Sequence, residues 1–469
     1  MLLKSIHEAA DSYDAVVIGG GLGGMTAAKR LADAGRSVLL VEGCPMLGGY
    51  AACFRRKGHI FDVALHAFPY GMRKTFRKYW SQDLANRVRP LPRIRYDNPQ
   101  FTLETTFAES DFTRVLDEKF GLPREAGETF FAACRKADFY ADASETTGEF
   151  LERFFPGRPD VVRLLLETVA YATGTALDDP AVVYAIIFSN FAQRGTHTFI
   201  GGTDLLLSEL RNLLLSSGAD IVLNTRVGEI RLDLGKAAGV VAGGTFIEAR
   251  AVVSNGNLLS TALDLLPENS LSPEFTAEMR RVPLSESIAQ CYIGIKEGVA
   301  IPPVADILFS SREPEYNAES YRAFPPRSFS YSFYYPGHIR PEHRRTEIVA
   351  SMSASYDEWD KLERSEYNAK KRLLAEAVFR DLERFVPGVH DLADHIEVAT
   401  PKTLERYAGH LRGASFGTKF PGFRASERLS REVPGLFHCG SEGIIMSGWL
   451  GSANSGAIVA GKADAYLGG

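Results

Sequence analysis

Three glycines in the pattern Gly-x-Gly-x-x-Gly, at Gly19, Gly21 and Gly24, are the residues whose type and spacing imply chemistry most directly. They follow an apolar run over residues 14–19 that reads as a buried strand. They open a stretch of helical composition over 22–34, and a second apolar run, 37–42, ends on Glu42. In that context the pattern predicts a βαβ unit that binds a dinucleotide. Gly19 permits the tight turn, Gly21 lets a diphosphate approach the backbone, and Gly24 lets the helix pack on the strand. Leu22 and Gly23 stand in the first helical turn, where free N–H groups and a partial positive charge favour phosphate. Glu42, followed by Gly43, is placed to accept hydrogen bonds from ribose hydroxyls.

Three features favour FAD over a nicotinamide cofactor. Only one such fingerprint is present, which speaks against a reductase with its own nicotinamide domain. Gly48 and Gly49 then offer a second close backbone approach, and residues 435–440 read as a short strand returning to the cofactor on Gly440. Flavin chemistry asks the protein mainly to position a C–H bond and exclude water. His66 is a candidate proton donor beside the ring or an ordinary packed histidine. Trp449 is a candidate contact to ring or substrate, or a packed tryptophan. Arg55 and Arg56 suit either a phosphate or a solvated face. Cys44 and Cys53 read as structural thiols, since no Cys-x-x-Cys occurs. No metal-ligand cluster, nucleophile elbow or phosphate-transfer loop appears.

These residues need a scaffold, and the periodicity supplies one. Helices are predicted over 138–166 and 180–191. A third is predicted over 204–216, with Thr203 or Asp204 capping its first turn, and an amphipathic one over 366–385. Strands are predicted over 219–227, 229–233, 240–242 and 245–254. The alternating aromatics of 329–335 read as a strand, either simply packed or also lining a substrate cavity together with Phe188, Phe191 and Phe199. With 45% hydrophobic and 24% charged residues over 469 positions, the chain suits two interleaved domains. A net charge of -5 argues against a nucleic-acid binder. The apolar runs fall short of the about 18–20 residues a membrane span needs. The sparse, odd cysteine set fits a reducing compartment, so a cytoplasmic location is expected, with peripheral membrane contact left open.

With these residues in hand, the sequence resembles the flavoprotein superfamily of phytoene desaturases, carotenoid isomerases and retinol saturases, which share a wider fold with flavin amine oxidases. The resemblance is specific at residues 14–62, at 201–255 (a Gly-Gly pair, a helix, an Asn-x-x-Val strand and a closing Val-Val-Ser-Asn) and at 400–456. It implies an α/β fold. A Rossmann-like FAD-binding domain of the GR2, amine oxidase-like type would be interleaved with an α+β substrate domain. The FAD-binding pieces would be 13–75, 201–260 and 401–469, with substrate-domain pieces 76–200 (helical, the candidate membrane surface) and 261–400. Val227 would meet the adenine through its backbone. Gly440, Ser441, Glu442 and Leu450 would close the FAD site, Glu442 standing near where the family often has aspartate.

The resemblance further implies an FAD-dependent oxidoreductase that desaturates, saturates or isomerises carbon–carbon bonds of an apolar isoprenoid or polyene. Quinone or oxygen would be the electron acceptor in desaturation. Two other readings stand beside it. One is a flavin amine oxidase. The other is a non-catalytic prenyl-binding protein of the Rab GDP-dissociation-inhibitor fold, against which the intact Gly19, Gly21, Gly24 and Glu42 argue.

Overall fold

The structure, a computed structural model, describes residues 3–64, 67–138, 140, 143–173, 177–443 and 445–468. Its organising element is the predicted βαβ unit: β1 (Ser12–Ile18), α1 (Leu22–Asp33) and β2 (Val38–Val41). From Ala15 onward β1, and the whole of β2, are apolar and buried because both faces are covered, as parallel strands require. Ala15 and Val17 face one hydrophobic cluster, and Val16 and Ile18 face another.

Around this unit a seven-stranded sheet is assembled from distant pieces of chain. Its order is Asp220–Val222, β2, β1, Thr245–Ser254, Lys236–Ala242, Val227–Asp233. The strand Thr245–Ser254 pairs in parallel with β1 and antiparallel with Lys236–Ala242. Its last residues also take Leu436–His438 in parallel. Thus the carboxyl ends of β1, β2, Thr245–Ser254 and Leu436–His438 converge on one edge, the usual place for a ligand in such a sheet.

A second seven-stranded sheet, mostly antiparallel, runs Ala393–Ala399, Ser287–Ile295, Glu347–Ala354, Ser328–Tyr334, Ile307–Ser311, Ile94–Asp97, Thr102–Thr105. The helix Arg364–Leu382 packs its buried side chains into a core behind that sheet. The hairpin of β3 (Cys53–Arg56) and β4 (His59–Asp62) ties the two sheets together. Buried Arg340 bonds Asp62 at 2.7 Å and Asp204 at 3.2 Å. His59 lies fully buried between Glu347 (3.1 Å) and Asp394 (2.7 Å).

Several expectations are corrected here. The span 138–166 is not one helix: Thr147–Phe154 stops before Pro156-Gly157, and a new helix starts at Pro159. Residues 219–227 are not one strand, because the chain turns after Val222, with Asn224 at φ 54°, and pairs again from Val227. The helix Gly202–Ser216 has no side-chain cap. Thr203 instead donates its hydroxyl to Asp62, and Asp204 pairs with Arg55 and Arg340.

Candidate functional site

At the convergent strand ends lies a cavity of about 450 Å³. Gly19, Gly21, Leu22, Gly23, Glu42, Gly43, Gly48, Gly49 and Val227 line it, as do Ser441, Glu442 and Trp449. Residues expected from three remote stretches of sequence are therefore brought to one wall.

The glycine turn is built by close backbone approach. A Cβ on Gly24 would run into the Gly19 carbonyl oxygen, so only glycine lets α1 start where it does. Gly48, at φ 122°, donates its N–H to Gly20 O at 2.8 Å and so brings the second glycine pair against the first. The first-turn N–H groups of α1 have no carbonyl within the helix to bond, which leaves donors at the cavity edge. Glu42 is held rigidly: one carboxylate oxygen accepts from Gly20 N–H (2.6 Å), the other from Cys44 N–H (2.7 Å).

Three expected residues stand just behind the wall. Gly24 packs on β1, and Gly440 donates its N–H to Ser455 Oγ at 3.1 Å. Leu450 turns its side chain onto Gly71, away from the cavity. Trp449 is buried and stacks on Phe68 with ring centroids 5.3 Å apart while also facing the cavity. His66 lies outside the described residues. Arg55 pairs with Asp204, whereas Arg56 reaches the cavity rim and pairs with Glu397 at 3.1 Å. Cys44 and Cys53 also face the cavity; burial, first of all, raises both thiols, Cys53 to about 11.

The aromatic residues of 329–335, with Phe188, Phe191 and Phe199, do not line the cavity. Phe329, Tyr331 and Phe333 sit in the core behind the second sheet, and Phe199 is buried beside the first. Phe188 is buried among Phe112, Phe130 and Phe131, its ring 5.7 Å from that of Phe130. They are filled core.

The cavity is also lined by residues outside the predicted set. The Asn255 carboxamide fills the space beside Gly21, Gly23 and Gly440. Its strand-end position, closing the Val-Val-Ser-Asn motif, was the available signal. Asn257 caps the next helix through Oδ1 (2.9 Å to Leu259 N), and its Nδ2 is buried without a partner. Tyr50 stacks on His410 at 4.3 Å. These two are far apart in sequence, and the folded chain alone pairs them. Tyr292, Phe54, Ala399, Leu404 and Ala408 complete a largely apolar side.

Burial shifts several titratable groups of the cavity, while the Arg56–Glu397 pair stands at its rim. Burial pushes Glu442 up to about 8, against the pull of the Thr418 hydroxyl donating to it at 2.6 Å. Burial holds His410 down to about 4 and does the same to His438, behind Glu442. It raises Tyr50 and Tyr292. The donor set suits FAD. A glycine turn and a helix terminus serve a diphosphate, and a fixed carboxylate serves a ribose. The buried, unpartnered Asn257 Nδ2 is a donor awaiting an acceptor.

Comparison with known proteins agrees. The model of the family described as flavin containing amine oxidoreductase matches residues 22–466. The chain is 25% identical to the chloroplastic prolycopene isomerase of Daucus carota over 97% of its own length and 80% of that protein. It is 23% identical to the all-trans-retinol 13,14-reductase of Homo sapiens, over 98% and 86% respectively. Among solved structures, an oxidoreductase from Methanosarcina mazei superposes with a TM-score of 0.66 at 18% identity, covering 96% of this chain and 99% of that one.

Proposed function

The chain belongs to the flavin-containing amine oxidoreductase family, and from that premise we propose that it acts on carbon–carbon bonds of an apolar isoprenoid or polyene. The observation that carries this reading is the largely apolar side of the cavity formed by Phe54, Tyr292, Ala399, Leu404 and Ala408. An alkylammonium substrate would be favoured by a carboxylate held ionised beside it. Here Glu442 is pushed towards its neutral acid and His410 towards its neutral base. A hydrocarbon chain loses nothing by entering such a wall. The names of the carrot and human relatives point to the same substrate class.

FAD, when bound, supplies the hydride-accepting and hydride-donating ring. The protein's own residues do the rest. Gly19, Gly21, Leu22, Gly23, Gly48 and Gly49 present backbone to the diphosphate, and Glu42 and Gly43 take the adenosine ribose. Val227, on the cavity wall, would lie against the adenine. Ser441 and Glu442, whose carboxyl burial raises to about 8, would close the cofactor site. Trp449, braced by Phe68, and the Tyr50–His410 stack shape the apolar side and keep water out. Gly24, Gly440 and Leu450 set the positions of these elements from behind. The domain pieces 13–75, 201–260 and 401–469 carry the cofactor contacts; of the substrate-domain pieces, 261–400 brings Tyr292 and Ala399 to the apolar side, and 76–200 brings none of the described lining residues. A desaturating reaction would pass its electrons on to quinone or oxygen. Peripheral membrane contact follows from a lipid substrate.

The test is an anaerobic flavin spectrum with polyenes, prenylquinones, retinoids and amines, recorded for both oxidised and dithionite-reduced enzyme. The expected result is a spectral change or product with a polyene or retinoid. A response to amines alone would overturn the reading.

A further inference from the structure

The helix α2 (Gly71–Tyr79) carries Arg73, Lys74, Arg77 and Lys78, all exposed, while Met72, Thr75 and Phe76 are buried. At 3.6 residues per turn the four cations fall within an arc of about 140° on one face. None of them has an ion-pair partner among the described residues. The side-chain contacts they make are to tyrosines: Arg73 lies 6.0 Å from the ring of Tyr70 and donates to its hydroxyl at 3.4 Å, and Lys78 lies 4.9 Å from the ring of Tyr79. Exposed Arg194, 4.5 Å over Tyr70, and exposed Arg30, 5.5 Å over Tyr79, widen the patch, again without an ion-pair partner. Acids on adjoining elements are engaged elsewhere, Asp33 with Lys29 and Glu209 with Arg87; Asp83 on the next helix is the unpaired exception. In a chain of net charge -5, such a face is a local feature set against the average.

Its position links it to the cavity. The first residue of α2, Gly71, is covered by Leu450, the neighbour of cavity-lining Trp449. Thr75 donates to Asn454 on the same C-terminal helix (3.0 Å), and exposed Ile458 lies one turn further along that helix on the same side. We infer that this basic, aromatic-flanked face docks the protein on an anionic lipid bilayer, seating the Trp449 end of the cavity near the membrane surface. Unpaired Lys and Arg on an amphipathic helix, with amphipathic rings at their margins, have the chemistry that acidic headgroups attract. The inference rests on the reading of a lipid-borne apolar substrate. The surface it names is centred on α2.

The experiment is sedimentation of the FAD-loaded protein with vesicles of phosphatidylcholine containing about 30% phosphatidylserine, and with phosphatidylcholine alone. Binding is expected for the anionic vesicles and not for the neutral ones, with release at about 0.5 M salt. Arg73→Gln/Lys74→Gln/Arg77→Gln/Lys78→Gln should weaken it by about 100-fold or more. Arg280→Gln/Arg281→Gln, an exposed basic pair elsewhere, should leave it nearly unchanged. Flavin content and thermal melting confirm that each variant is folded. Equal binding to both vesicle types, binding that survives the quadruple change, or retention on heparin or an acidic protein without vesicle binding would each overturn the inference. The flavin response to detergent-dispersed polyene is read separately. Its loss would strike the proposed function, and its persistence without vesicle binding would strike this inference alone.

Discussion

The glycine-rich cleft and the phenylalanine-rich helical region solve opposite problems. In the cleft, chain segments near residues 20, 48, 255 and 440 approach so closely that side chains are removed, and polar groups such as Asn257 Nδ2 are left without partners. Around Phe188, rings from Phe107 to Phe188 fill the space completely, with neighbouring centroids such as Phe107–Phe112 at 5.0 Å. The lesson is that aromatic abundance marks where this protein is solid. The place for a ligand is marked by missing side chains and unpaired donors.

The comparison breaks most sharply at its packed end. Phe188→Ala should cost about 3–5 kcal/mol of stability through the cavity it leaves. The folded fraction should still carry its flavin, read by denaturant melts alongside flavin absorbance. Loss of flavin at unchanged stability would mean that Phe188 belongs to the site after all. Gly24→Ala is the converse. Its new Cβ meets the Gly19 carbonyl, which forces α1 off β1 at a cost of about 1–3 kcal/mol, and FAD affinity should collapse with it. Wild-type affinity in that variant would contradict the close-approach argument.

A subtler change sharpens the contrast through pH. Glu442, raised by burial from 4.5 to about 8, binds a proton more tightly folded than unfolded. Its contribution is therefore fully present below the unfolded value and lost as pH rises through the folded one. The stability of the wild type relative to Glu442→Gln should accordingly fall between about pH 5 and 8. His59, raised because Glu347 and Asp394 outweigh its burial, declines on the alkaline side in both proteins and cancels from the difference. A difference that is flat with pH would mean the carboxyl is already ionised when folded.

The legibility of the sequence follows the same division. The βαβ unit and Glu42 were readable because strand, turn and helix are neighbours in the chain, and each glycine has a local steric reason. The Val-Val-Ser-Asn strand end was readable as a motif, although the hub position of Asn255 against Gly21, Gly23 and Gly440 appears only in the fold. The Tyr50–His410 stack left no local signal. Thr203 looked like a cap because its position suits one, but tertiary contact with Asp62 claims the hydroxyl. The aromatic residues of 329–335 left packed core and cavity lining both open for a related reason. Composition gives apolar character, whereas only packing decides between a filled core and a wall.

The most direct test is to purify the protein, titrate it with FAD and record the visible spectrum. One tightly held flavin per chain, with affinity lost in Gly24→Ala and retained in folded Phe188→Ala, is the predicted result. A wild-type protein that neither retains nor takes up FAD would contradict the account at its root.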